Sequence, residues 1–141
     1  MVAAQLPETP NTMKKIIING NIDYEGTTSV LALIAQKDIL IPLYAPDNLT
    51  IKAVMMAQNG SVMRYYYPWW YSPYHIRDYI VTEGAIITNK IWTFTWVDED
   101  GEVISGYRNT EMSYRANLAY NPPPYFPEIG EYQIVEWQET Q

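Results

Sequence analysis

The residues of this chain best suited to chemistry are aromatic. Five tyrosines and two tryptophans fall within Tyr65-Tyr66-Tyr67-Pro68-Trp69-Trp70-Tyr71-Ser72-Pro73-Tyr74. Rings of this kind offer a flat apolar face and a polar edge, so when exposed they stack on sugars or fill pockets on a partner protein. Tyr66, Tyr67, Trp69, Trp70, Tyr71 and Tyr74 are therefore the candidate binding residues. Two prolines in six positions exclude a central strand here, so the segment 65–75 is expected to be a loop. The alternative role for Trp69 and Trp70 is to fold back and cover an end of the core. That cap is the expected outcome, because monomers rarely leave a large apolar patch without a use.

The remaining candidates are weaker. His75-Ile76-Arg77-Asp78 holds the chain's one histidine beside an acid. A general acid–base pair needs such groups, but no nucleophile motif accompanies it, and a surface salt link is expected. Asp98-Glu99-Asp100-Gly101-Glu102 has the opening of a calcium loop without its later oxygen ligands, since Val103, Ile104, Ser105 and Gly106 follow. A solvated hairpin tip accounts for it. Asp23 and Glu25 share a strand face, as residues two apart do, but paired carboxylates at that spacing arise readily by chance. No catalytic residue, metal or cofactor is expected.

Composition narrows the classes. The chain of 141 residues is 48% hydrophobic and 18% charged, which describes one globular domain. Sixteen acids against nine bases give a net charge of −7. That disfavours nucleic acid and anionic membrane as partners, both of which call for clustered Lys and Arg. The absence of Cys removes disulfides, thiol catalysis and thiolate metal sites. Thirteen Tyr against two Phe imply rings that are half wet. No run approaches the roughly 18 apolar residues of a membrane span, and the first residues have neither the basic nor the apolar part of a signal peptide.

The elements that must position the aromatic loop are strands. Residues 1–12 read as a flexible tail and 13–141 as one domain, with the aromatic loop at 65–75 and a C-terminal extension at 98–141. Apolar runs separated by turns recur at Ile16–Ile22, Ile34–Leu40, Met56–Val62 and Ile80–Ile86. Aligned on Gly20, Asp38, Gly60 and Gly84, their flanking positions agree, with a period of roughly 20 residues. Asn19-Gly20 and Asn59-Gly60 are turn dipeptides, and Gly60 is expected to need positive φ. Ser29 to Ala35 fits either a helical turn or a strand, and the repeat favours the strand. Leu49, Ile51, Ala53 and Met55 alternate along one face. Trp92–Val97 and Glu102–Tyr107 flank a hairpin at Asp98–Gly101, and Glu111–Tyr120 reads as a further strand. Pro122–Pro124 favours polyproline II geometry, and Tyr132, Ile134 and Trp137 suggest a closing strand. The fold expected is all-β: a small parallel β-helix or β-solenoid of about four coils, with a C-terminal hairpin and capping strands, and with the four aligned residues at one corner.

The stretches Asn19–Tyr24, Ile34–Pro42, Ala45–Ile51 and Ala57–Gly60, with Arg115–Pro127 later, resemble a bacterial family. The chain is similar to the C-terminal exported modules of minor-pilin-like proteins of the type IV pilus and type II secretion kind. The resemblance covers about residues 16–137 and rests on turn-and-strand motifs. It implies a module outside the cell, at the surface on or near a pilus, meeting a protein partner or its own copies. Chains of that family begin with a long apolar helix, which the resemblance would place upstream of Met1. It supplies no catalytic residues. The function expected is a non-enzymatic structural or interaction module of a surface appendage or its assembly. The alternative is a carbohydrate-binding module that uses the aromatic loop, with a glycan as partner.

Overall fold

The computed structural model describes residues 2–4, 13–26 and 29–123. Ten strands and two short 3-10 turns make up the described fold: β1 (Val2–Ala4), β2 (Ile16–Ile17), β3 (Ala32–Ala35), β4 (Ile39–Ile41), β5 (Asn48–Ala57), β6 (Val62–Arg64), β7 (Ile76–Thr88), β8 (Trp92–Thr93), β9 (Thr95–Val97) and β10 (Val103–Ser113), with 3-10 turns at Trp69–Tyr71 and Ala116–Ala119. They form a six-stranded sheet, ordered β1-β3-β5-β7-β10-β9, and a four-stranded sheet, ordered β2-β4-β6-β8. The four-stranded sheet is parallel throughout, and the larger one is parallel except where β9 lies antiparallel to β10.

The chain builds the two sheets alternately because β-branched and apolar runs are cut short by polar turns. Ala35 ends β3, and Gln36-Lys37-Asp38 carries the chain to β4 in the other sheet. Ala57 ends β5, and Gln58-Asn59-Gly60-Ser61 does the same for β6. These turns lie side by side: the Asn59 amide donates to the Gln36 carbonyl at 3.1 Å, and the Lys90 amide to the Gly60 carbonyl at 3.0 Å. The Ser61 amide donates to Asp38 Oδ1 at 3.1 Å, which satisfies a buried backbone donor. One core lies between the sheets, drawing Ile39, Ile41 and Val62 from the small sheet and Leu33, Leu49, Ile51, Met55, Ile80 and Tyr107 from the large one. Leu49, Ile51, Ala53 and Met55 all face it, as the period-2 pattern expected. Each large side chain so buried contributes roughly 1.5–3 kcal/mol.

The expected β-helix or β-solenoid of about four coils is not the architecture. The sheets are open, and the larger mixes parallel and antiparallel neighbours because the Asp98–Gly101 hairpin sends β9 and β10 in opposite directions. The four aligned residues do not share a corner. Asp38 and Gly60 adjoin, but Gly84 sits in the middle of β7 opposite Ala53, and nothing lies within 4 Å of a Cβ built on Gly20. Gly60 is required by crowding and not by positive φ: a Cβ there would run into Asp38 Oδ1 and the Lys37 carbonyl.

Two further expectations change. Glu102–Tyr107 and Glu111–Tyr120 are not separate strands. β10 runs unbroken through Arg108-Asn109-Thr110, held by pairing to β7, and it gives way to a 3-10 turn at Ala116. The segment Ser29–Ala35 is a strand only from Ala32. The flexible tail expected at 1–12 is a strand at Val2–Ala4, held by parallel pairing to β3; its residues 5–12, the polyproline geometry at Pro124 and the strand suggested by Tyr132, Ile134 and Trp137 fall outside the described residues.

Candidate functional site

The aromatic segment is a loop, for the reason its prolines gave. It leaves β6 at Arg64 and enters β7 at Ile76. Pro68 starts a 3-10 turn in which the Tyr71 amide donates to the Pro68 carbonyl and the Ser72 amide to the Trp69 carbonyl, both at 3.0 Å. The Tyr74 amide then donates to the Tyr71 carbonyl at 2.8 Å, across a cis Ser72–Pro73 peptide.

Trp69 and Trp70 are not a cap. Their exposures of 74% and 64% are among the highest of the large apolar residues described. The short turn is the physical reason: a 3-10 turn on a proline-bounded loop points successive side chains outward, with no buried residue of its own. The two indoles meet edge to face, with centroids 6.0 Å apart, and Trp70 lies 6.4 Å from Tyr71 at an interplanar angle of 35°. Tyr71 in turn meets Tyr67 at 5.9 Å. Tyr66 and Tyr74 extend the surface in two directions, Tyr66 against Trp96 at 6.2 Å and Tyr74 against Tyr44 at 5.0 Å. Ring contacts thus join four of the six candidates, Tyr67, Trp69, Trp70 and Tyr71, as one ledge, while Tyr66 and Tyr74 flank it on the same loop with Trp96 and Tyr44 as their partners. Tyr67 is its inward member, half-buried, and burial raises its hydroxyl pKa above the usual tyrosine value.

Sequence reading missed Tyr44, Trp96 and, above all, Arg64. The Arg64 side chain is fully buried, at 0% exposure, beneath the ledge. Its guanidinium donates to the carbonyls of Pro42 (2.5 Å), Leu43 (3.2 Å) and Tyr74 (2.8 Å), and it lies 5.0 Å from the Tyr67 ring and 5.6 Å from that of Tyr107. Among the described residues no carboxylate pairs with it. The five donors of a guanidinium and its affinity for ring faces let backbone and aromatics hold the charge instead. Burial lowers its pKa from the ordinary arginine value. The available signal was parity: Val62 and Arg64 are two apart on one short strand, so an inward Val62 requires an inward Arg64.

Neighbouring elements complete the base. Arg77 donates to the same Leu43 carbonyl, lies 5.1 Å from the Tyr74 ring and pairs loosely with Asp47 at 3.8 Å. Ser105 Oγ accepts from the Tyr67 amide at 2.9 Å, and the Trp96 indole N–H donates to the Arg64 carbonyl at 3.1 Å. The loop is therefore tied to the β4–β5 turn, β7, β9 and β10.

The other candidates are not brought together. His75 makes no link to Asp78; its Nδ1 is buried without a hydrogen-bond partner. Asp98–Gly101 forms the expected exposed hairpin tip, where Asp98 Oδ1 accepts from the amides of Asp100 and Glu102. Asp23 pairs with Lys52 at 2.7 Å across to β5. Among the described residues no group of three or more His, Asp or Glu is placed to hold a metal ion, and no described helix is long and apolar enough to cross a membrane. No family model, curated protein or solved structure matches the chain, so the site is read from its own chemistry.

Proposed function

We propose that this chain is a non-enzymatic interaction module of a bacterial surface appendage, docking a protein partner or a second copy through the aromatic ledge. The observation that carries it is the pair Trp69 and Trp70, both mostly in water on a loop clamped from below by Arg64. Trp, Tyr and Arg dominate the energetics of protein interfaces, and rings held rigid before binding lose little entropy on it. The appendage setting is carried by the resemblance of the stretches 19–24, 34–42, 45–51, 57–60 and 115–127 to minor-pilin-like modules.

The test is the double variant Trp69→Ala, Trp70→Ala. Exposed residues add little to stability, so its melting should match the parent protein within about 0.5 kcal/mol. Association seen by sedimentation velocity, or with appendage components, should be lost. Unchanged association would reject the reading.

A second reading has its own observation. Trp70 and Tyr71 are the ring pair nearest to parallel in the ledge, an arrangement on which a sugar ring can stack. A panel of neutral oligosaccharides, read by tryptophan fluorescence, separates this carbohydrate-binding alternative from protein docking.

A further inference from the structure

We propose that the partner surface taken by the ledge is a basic one, presenting Arg or Lys side chains to the exposed rings. The inference rests on the docking reading above and deepens it by naming the partner's chemistry.

Three observations point the same way. The exposed aromatic stretch Tyr65–Tyr74 carries no charged residue of its own, and the faces of its rings bear the negative side of the aromatic quadrupole. Among the described residues, the cations shown in contact with the loop are already engaged. Arg64 is fully buried, the Arg77 side chain is 11% exposed and paired with Asp47, and Lys15, which reaches the Tyr65 hydroxyl, is paired with Asp38 at 3.1 Å.

The third is the hairpin tip. Asp98, Glu99, Asp100 and Glu102 are all exposed, and both arms of the hairpin are bonded to the loop's base. Trp96, two residues before Asp98, meets Tyr66 and donates to the Arg64 carbonyl. Ser105, three residues after Glu102, holds the Tyr67 amide. Four exposed carboxylates thus stand on the hairpin whose arms meet the Tyr66 side of this uncharged surface. A partner that seats alkyl-ammonium or guanidinium groups on the exposed rings would gain cation–π attraction there and meet the hairpin's carboxylates on the Tyr66 side. The net charge of −7 adds steering toward the same kind of partner. An anionic surface would meet repulsion from the tip.

The probe is a 12-residue peptide of alternating Arg and Ala, with its Glu–Ala counterpart, an uncharged Leu–Ser peptide and a neutral chitin oligosaccharide as comparators. Binding is followed by tryptophan fluorescence and calorimetry on the full chain. The Arg–Ala peptide should bind, and the Glu–Ala peptide should not. The variant Trp69→Ala, Trp70→Ala should weaken binding about tenfold or more, the loss of two cation–π contacts. The variant Glu99→Gln, Asp100→Gln, Glu102→Gln should weaken it severalfold and flatten its salt dependence. It leaves Asp98, which braces the tip, in place, and its melting curve reports whether it folds.

Failure of the Arg–Ala peptide to bind, or equal binding by the carboxamide tip variant with unchanged salt dependence, would overturn the basic-partner proposal. If the Leu–Ser peptide or the oligosaccharide then bound in a Trp69- and Trp70-dependent way, the ledge would remain a binding surface for another chemistry. If the double tryptophan variant matched the parent protein toward every probe and in self-association, the docking reading would fall as well.

Discussion

Arg64 and Tyr74 stand at opposite ends of the aromatic loop, and the Arg64 guanidinium donates to the Tyr74 carbonyl across 2.8 Å. That bond closes a ten-residue loop from inside the protein. The same side chain also serves the Pro42 and Leu43 carbonyls, so one group fixes both the β4–β5 turn and the far end of the ledge.

Arg64→Lys should therefore cost more than a change that keeps the charge would suggest. An ammonium lacks the planar fork that reaches three carbonyls and stacks beside two rings. A loss of about 2–3 kcal/mol is expected from carbonyls left unpaired in a buried site. Urea unfolding measures it, and near-UV circular dichroism should change with the Tyr67 and Trp70 environment.

Gly84→Ala should destabilise the protein by about 3 kcal/mol. Gly84 lies mid-strand at φ +149°, and a Cβ there would run into the Ala53 carbonyl of β5. The clash falls inside the longest pairing of the fold, the ten residues of β5 against β7. A melting curve like the parent's would show that the strands can part locally without loss.

Asp38→Ala should leave the buried Ser61 amide without its acceptor and remove the partner of Lys15. An unpaired buried donor costs about 1–3 kcal/mol. Hydrogen exchange at the Ser61 amide should quicken more than at amides in the centre of β5, which localises the loss to the turn.

Stability should fall in alkali through Tyr107. Burial pushes its hydroxyl pKa up to about 12, and the hydroxyl donates to the Pro46 carbonyl at 2.9 Å. The unfolded chain releases this proton near pH 10, before the folded protein does. Its contribution is therefore whole below about pH 10 and is lost as pH rises toward about 12, on the order of 2–3 kcal/mol in all. Urea titrations from pH 9 to 11.5 should show that decline, and Tyr107→Phe should flatten it while lowering stability at neutral pH.

The local readings that depend on neighbours in sequence were legible. Alternation along Leu49–Met55 gave the core face of β5, because side chains two apart on a strand share a side. Pro68 and Pro73 gave the loop, because neither can serve a strand ladder. Asp98–Gly101 gave the hairpin. The repeat misled where it treated glycines as equivalent turns: Gly20 and Gly84 match Asp38 and Gly60 in their apolar flanks, but a glycine can equally mark a close approach between strands, as Gly84 does opposite Ala53. The cap expected of Trp69 and Trp70 failed because apolar character alone does not say which way a short turn faces.

By itself, then, the sequence determined a mostly β chain with a proline-bounded aromatic loop, since those properties follow from residue type and spacing within a few positions. Only the tertiary structure decided that the strands divide into two open sheets, that Tyr66 meets Trp96 and Tyr74 meets Tyr44, and that Arg64 is buried against the loop. Those contacts join residues tens of positions apart, and their energies come from burial and from carbonyls that meet the guanidinium only once the sheets have packed.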